Sequence, residues 1–386
     1  DDGSTFITGR RIAGPSIKAM NRPQIAVHGT GSSAKVYVTY TYYDNSDNSD
    51  LDIYLKYSTD GAISFPNTVS INTDGYYSDF SSVCVDAAGY VYVAYTYAHW
   101  DGGGCDDEDV DVEITLAVSY NVGSSWRSQR YICSESRDEV LPTLAVSGSG
   151  NSSVLHLGYT YDFESGTGED YDARYKKITN AGSTSPTIGS AIGLSSSSYE
   201  EYIAPGGIKV DDLGNPHIVY TYNNNIYYRR STDGGSTFLS AVGVSTLPSE
   251  EADANLVIDG ANNPVVAWRD SRRGHKDIYL GFSNDGGVSF EDGVRVNQDV
   301  GTTEQYWPSI AGYSPSWKRN IAVLWWDERW DDGDIVYNGN TQTGVRLNVT
   351  INPDYPPWSP ISFAYYNYDV EDTVEFTTSR TYNIWF

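Results

Sequence analysis

Short runs in which side chains alternate, apolar with polar or β-branched with aromatic, fill the chain. Val36 to Tyr42 is one such run, and a period of two places its side chains on opposite faces of a strand. Such runs are followed by others that open on a polar residue and end at a turn: Asp52 to Leu55, Glu113 to Leu116, Asp172 to Tyr175, Asn225 to Tyr228, Asp277 to Leu280 and Asp334 to Tyr337. Shorter apolar runs precede them at Pro23 to Val27, Ser82 to Val85, Pro142 to Val146, Gly207 to Val210, Asn255 to Ile258 and Pro308 to Ala311. The pattern predicts six sets of strands in one repeated order. Helical periodicity is hard to find, and no apolar stretch is long enough to span a membrane.

One phrase marks the turn after the third run of each set. It reads Ser58 to Phe65, Ser119 to Trp126, Ser231 to Phe238 and Ser283 to Phe290, with worn copies at Ile178 to Ser185 and Asn340 to Gly344. Its third position holds Asp60, Asn121, Asn180, Asp233, Asp285 and Gln342, about 50 to 60 residues apart. An Asp or Asn there accepts hydrogen bonds from amides further along the turn, and the following Gly supplies a positive φ. The period suits a four-stranded blade. The sequence therefore predicts an all-β, six-bladed propeller over residues 1–344. Asp1 to Phe6 reads as the end of the same phrase, and Phe6, Gly9, Arg11 and Ile12 align with Phe290, Gly293, Arg295 and Val296. The chain start is thus expected beside Asp334 to Tyr337 as the outer strand of the sixth blade, which would close the ring and remove an open edge.

These phrases, in register with the repeated strands, resemble those of the Asp-box, or BNR, β-propellers typified by sialidases. The resemblance covers roughly residues 1 to 345. It implies the fold, and for sialidases it implies three arginines around the substrate carboxylate, a Tyr nucleophile paired with Glu, and an acidic proton donor. Arg11-Ile12-Ala13 is similar to the Arg-Ile-Pro phrase of that family but lacks its Pro. Residues 345–386 leave the repeat and read as a small β unit loosely resembling the β-sandwich modules that follow secreted propellers. The unit is undersized and ends on apolar Asn383 to Phe386, so it is expected to dock on the propeller or to be completed by another chain, giving self-assembly.

Composition narrows the partners. The chain has 33 Tyr, 10 Trp, 10 Phe and 37 Gly, as aromatic-rich strands and tight turns require. Its 51 acidic against 25 basic residues give a net charge of -26, which repels nucleic acid, anionic membranes and polyanionic glycans. Low Lys content, a single Met and the sequons at Asn151 and Asn348 fit an extracellular or cell-surface location. Cys84 reads as a core thiol, whereas Cys105 and Cys133 fall in loops on one face where a bridge can form.

Propeller ligands bind where inner strands begin. Those loops offer Arg22; Tyr77 and Asp79; Arg137, Asp138 and Glu139; Glu200, Glu201 and Tyr202; Glu250, Glu251 and Asp253; and Glu304, Tyr306 and Trp307. Two arginines among many carboxylates fall short of a carboxylate-binding triad. The sequence thus points to a module that binds a glycan or an extracellular protein, or joins an assembly. No catalytic residue is assigned. The alternative is a glycoside hydrolase, either of sialidase type or using a carboxylate pair such as Glu139 and Glu201. No cofactor is required. Asp44, Asp47 and Asp50, and Asp106, Asp107, Asp109 and Asp111, crowd oxygen ligands at short spacing and are read either as calcium loops or as solvated acidic loops. The phrases Trp268 to Arg272 and Trp325 to Arg329 occupy equivalent positions and are read as blade packing.

Overall fold

The computed structural model describes residue 12 and residues 20–43, 51–72, 77–98, 112–127, 130–133, 137–162, 171–195, 199–297, 301–313, 320–328, 334–339 and 345–347. Among them the only helices are two single turns, Gly31–Ser33 and Gly150–Ser152. Everything else regular is strand, in six antiparallel sheets whose strands follow chain order.

Sheet one holds Met20–His28, Lys35–Tyr43, Leu51–Ser58 and Asn67–Ser70, and sheet two holds Tyr77–Val85, Val91–Ala98, Val112–Ser119 and Arg130–Cys133. Sheet three holds Glu139–Ser147, Val154–Asp162, Tyr171–Thr179 and, as a broken fourth strand, Thr187–Ile188 with Ile192–Gly193. In sheet four the first strand is itself broken, into Glu201–Tyr202 and Ile208–Val210, and is followed by Pro216–Tyr222, Asn225–Arg230 and Val242–Ser245. Sheet five holds Glu251–Ile258, Pro264–Asp270, Asp277–Phe282 and Val294–Arg295; sheet six holds Gln305–Tyr313, Asn320–Asp327, Asp334–Gly339 and Val345–Leu347. First strands of consecutive sheets touch one another. The apolar core lies between sheets: Ile53 and Leu55 of sheet one pack with Val91, Val93 and Tyr95 of sheet two, and Val219 of sheet four packs with Leu256 and Trp268 of sheet five. This is a β-propeller-like arrangement.

The repeated turn forms as its chemistry requires. Asp233 Oδ1 accepts from the amides of Ser236 and Thr237 at 2.9 Å each and from Ser231 Oγ at 2.7 Å, while Thr237 Oγ1 donates to Oδ2 at 2.6 Å. Asp285 and Asp60 repeat the bonds to the serines on either side, and Asn121 accepts from the Ser125 amide at 2.8 Å. These donors hold the Asp60 carboxyl down at about 2 and those of Asp233 and Asp285 lower still. Asn180 instead takes φ 52, and its carbonyl receives the Ser183 amide.

The edge of the third strand in sheet six carries Val345–Leu347, with Ile335 opposite Leu347. That is the place anticipated for the chain start; residues 1–11 lie outside the described residues. A neighbouring segment reaches an edge across a much shorter loop than the far end of the chain does, at smaller closure entropy.

Candidate functional site

At one end of every sheet the first strand begins, the second ends and the third starts; the described repeated turns lie at the other end. Near this mouth, the first strand slips register against the second in five sheets, between Asn21 and Gln24, Asp79 and Ser82, Val140 and Thr143, Ala252 and Asn255, and Tyr306 and Ser309. Each slip is a bulge, with one extra residue on the first strand. The residue inside it is left-handed: Arg22 (φ 51), Phe80 (51), Leu141 (55), Asp253 (57) and Trp307 (47). Bulky side chains rarely adopt that conformation, and strain of this kind collects at functional sites. All five are half-buried. In sheet four the strand break replaces the bulge, with Gly206 at φ 82 and Asn255 Nδ2 donating to Pro205 O at 2.6 Å.

Two groups of side chains gather around these bulges. In the first, the Arg22 guanidinium lies 3.7 Å over the Phe80 ring and pairs with Asp79. Asp79 is 1 % exposed and also accepts from Thr41 Oγ1 at 2.7 Å, the Phe80 amide at 2.8 Å and the Tyr77 hydroxyl at 3.1 Å. Arg22, Tyr77 and Asp79 therefore come together, and Asp79 is saturated by its donors.

The second group spans sheets four to six. Tyr306 and Trp307 lie 5.5 Å apart, and Trp326 meets Trp307 edge-on at 6.1 Å. Arg269 and Lys276 sit 5.7 Å and 4.8 Å from the Tyr306 ring. Arg269 is held by Asp253 at 2.8 Å and Glu250 at 2.9 Å; Lys276 lies 4.0 Å from Glu304, which also accepts the Lys276 amide. Tyr202 is pushed up to about 12 by burial and by the Asp253 carboxylate. The sequence reading counted only Arg22 and Arg137 here. Arg269, near the end of the second strand of sheet five, and Arg272, Arg273 and Lys276, in the hairpin that follows it, join them. The signal was the charge between Trp268 and Asp277, and it was missed because that phrase was read as packing. Packing is indeed what its Trp and Asp do: Trp268 and Trp325 are buried, and their indole N–H groups donate to Asp270 and Asp327 at 3.1 Å.

The glutamates at the mouth have a different place. Glu139, Glu201 and Glu251 are 0 % exposed, as is Gln305 at the equivalent position. Three first strands, those starting at Tyr77, Glu251 and Gln305, are latched by the end of the preceding sheet. Asn72 Nδ2 donates to Ser78 Oγ at 2.6 Å, Ser245 Oγ donates to Glu251, and Asn297 Nδ2 bridges Asp277 at 2.6 Å and Gln305 at 2.9 Å. Glu251 is pushed up to about 7 by burial and by the neighbouring Asp270 charge. Asp270 stays low because hydrogen bonds from Arg272 outweigh its burial. Enclosed carboxylates of this kind present no surface to a glycosidic bond, which two-carboxylate hydrolysis requires. Asp138, just before sheet three, accepts the Val112 amide of sheet two at 2.9 Å and so joins the two sheets.

Among the described residues no three His, Cys, Asp or Glu side chains gather to hold a metal. Asp44, Asp47, Asp50, Asp106, Asp107, Asp109 and Asp111 lie outside the described residues, as does Cys105; Cys133 is buried at the end of sheet two, and Cys84 is half-buried.

No family model matches the chain, and no curated protein matches it. Solved structures do. A protein of unknown function from Dyadobacter fermentans is 11% identical over 83% of this chain and 94% of that one, with a TM-score of 0.57. A sialidase from Streptococcus pneumoniae is 12% identical over 80% of this chain and 65% of that one, at 0.49. The lectin of Aleuria aurantia, in complex with α-methyl-L-fucoside, is 11% identical over 88% and 97%, at 0.47. At such identities the likeness is one of fold.

Proposed function

We propose that the chain is a six-bladed Asp-box propeller acting outside the cell or at its surface, and that its mouth binds a glycan against Tyr306 and Trp307. The observation that carries this reading is the aromatic shelf itself. A strained bulge displays Trp307 beside Tyr306, with Trp326 behind and hydrogen-bonding groups of Arg269, Lys276 and Glu304 around it. Flat apolar rings edged by polar groups match the apolar faces and hydroxyl rims of sugar rings. The ligand class favoured is a neutral glycan. Arg22, Arg269, Arg272 and Lys276 each already face a carboxylate, and the net charge of -26 opposes an anionic one.

A glycan array carrying neutral and acidic glycans tests the reading. Saturable binding to a neutral glycan, with little response to sialylated or sulfated ones, is expected. Silence on every glycan overturns it, and turnover of a fluorogenic glycoside would move the protein to the hydrolases.

A further inference from the structure

At the mouth end of sheet four, the second strand ends on Tyr222 and the third begins at Asn225. The turn between them is Asn223-Asn224, left-handed at φ 49 and φ 58, as a two-residue hairpin of this hand requires. Its backbone is held from both sides: the Asn223 amide donates to Glu200 O at 3.4 Å, and Asn224 O accepts the Glu251 amide at 3.0 Å. Four tyrosines meet beside it. Tyr220 and Tyr227, opposite each other in register, stack at 6.1 Å; Tyr222 meets Tyr227 edge-on at 5.4 Å, and Tyr199 meets Tyr222 edge-on at 6.0 Å. Tyr220, Tyr222 and Tyr227 share an apolar cluster with Ile192 and Leu194, at the outer edge of sheet three. Two residues further from the mouth, Arg229 spans the same seam and donates to Leu194 O at 2.6 Å.

Three of these rings are scaffold, because sheet one repeats them in Tyr40, Tyr42 and Tyr54, at 6.0 Å and 5.2 Å. Tyr199 is an addition. It precedes the first strand and is 50 % exposed, although it rests on Tyr222. A lone exposed tyrosine is ordinary on a protein surface. Here the exposed ring is propped by a half-buried one, and Glu200, Asn223 and Asn224, next to these two rings in the chain, are exposed as well. Carboxamides both donate and accept hydrogen bonds, as sugar hydroxyls do, and an aromatic ring suits the apolar face of a sugar. We propose that Tyr199 and Tyr222 form a second site for a neutral sugar, so that one chain holds two glycans. The proposal rests on the reading of the mouth as glycan-binding. Sheet five stands between this site and Tyr306 and Trp307 of sheet six, and Tyr222 turns away from it toward sheet three. A tyrosine ring offers a smaller face than the Trp307 indole, so the new site is the weaker of the two. Two sites in one chain bind a glycan-coated surface more tightly than either alone.

Calorimetric titration of the whole chain with the neutral glycan that binds best on the array decides this. Wild type should show two phases. Tyr199→Ala should remove the weaker phase and keep the tighter one, which also reports that the variant is folded; Trp307→Ala should do the reverse. Tyr120→Ala, which removes a ring 49 % exposed beside a repeated turn at the opposite end, should keep both. A weaker phase untouched by Tyr199→Ala, or a single phase that Trp307→Ala abolishes, overturns the second site and leaves the shelf standing. A single phase lost in Tyr199→Ala and kept in Trp307→Ala supports the site at Tyr199 and overturns the shelf. A wild type that binds no glycan overturns both.

Discussion

Acid should reach two histidines that the fold holds neutral. His156 is 0 % exposed, with Nδ1 2.8 Å from the Tyr175 hydroxyl and Nε2 3.1 Å from Ser147 Oγ. His217 repeats the arrangement one sheet later, against the Tyr228 hydroxyl, with Asp211 3.5 Å from its Nε2. Burial holds their pKa values down at about 3 and about 4. In the unfolded chain both return to about 6.5. As pH falls through that value the unfolded state takes up two protons that the native state refuses. The stability is therefore complete above the unfolded pKa and is lost progressively below it. By about pH 5 the loss is about 2 kcal/mol for each histidine. Glu251 acts in the opposite sense: with its pKa raised to about 7, the native state takes that proton first, and acid stabilises it there. The net slope of the wild type is thus a difference, and a comparison isolates the histidines. Urea unfolding at about pH 8 and about pH 5 should show the change in stability shifting toward acid stabilisation by about 2 kcal/mol in His156→Gln and likewise in His217→Gln. Identical pH dependence in wild type and variants, or a native histidine ring titrating by NMR near the free value, would refute the reasoning.

Three further outcomes follow from the packing. Gly287 has φ 86, and a Cβ there would lie 2.7 Å from Tyr228 Cζ, so Gly287→Ala should lower unfolding stability by about 2 to 4 kcal/mol; an unchanged denaturation midpoint contradicts the turn geometry. Asn297→Ala strips a donor from buried Asp277 and Gln305 and should cost about 1 to 3 kcal/mol in the same assay, whereas a neutral effect would mean the latch does not join sheets five and six. If the acidic runs at 44–50 and 101–111 hold calcium, a chelator should lower the Tm and added calcium restore it. No shift in either direction removes the calcium reading.

The repeat was legible because it is written in residue types. Turn residues at Asp60, Asp233 and Asp285, and the aromatics Phe65, Phe238 and Phe290 that close their phrases, recur in step with the strands in the sequence and in equivalent turns in the structure. The bulges were less so, although Pro23, Pro142 and Pro308 interrupt strand patterns where proline is admitted chiefly at edges and bulges. What the residue types alone could not reveal was which acids are open to solvent. Glu251 and Glu304 look alike in sequence, yet one is enclosed and the other is half-buried beside Lys276. The difference comes from Ser245 and the Ile226 amide, which reach Glu251 from the preceding sheet. Asn72 before Ser78, Ser245 before Glu251 and Asn297 before Gln305 were a readable signal of that latch. Arg269 escaped for a related reason: it alternates with Trp268 and Asp270, which face the packed interior, while Arg269 itself reaches Asp253 and Tyr306.

The central claim, that the mouth binds a glycan on its aromatic shelf, is tested most directly by calorimetric titration of the best neutral glycan from the array into wild type and Trp307→Ala. Base stacking on one aromatic ring in other proteins is worth about 1 to 3 kcal/mol, and a comparable contribution from sugar stacking predicts a loss in affinity of about five-fold to 150-fold. Trp307→Phe should retain part of the binding, and the far-ultraviolet spectrum should be unchanged in both variants. Equal affinity in wild type and Trp307→Ala would place the ligand elsewhere and contradict the account.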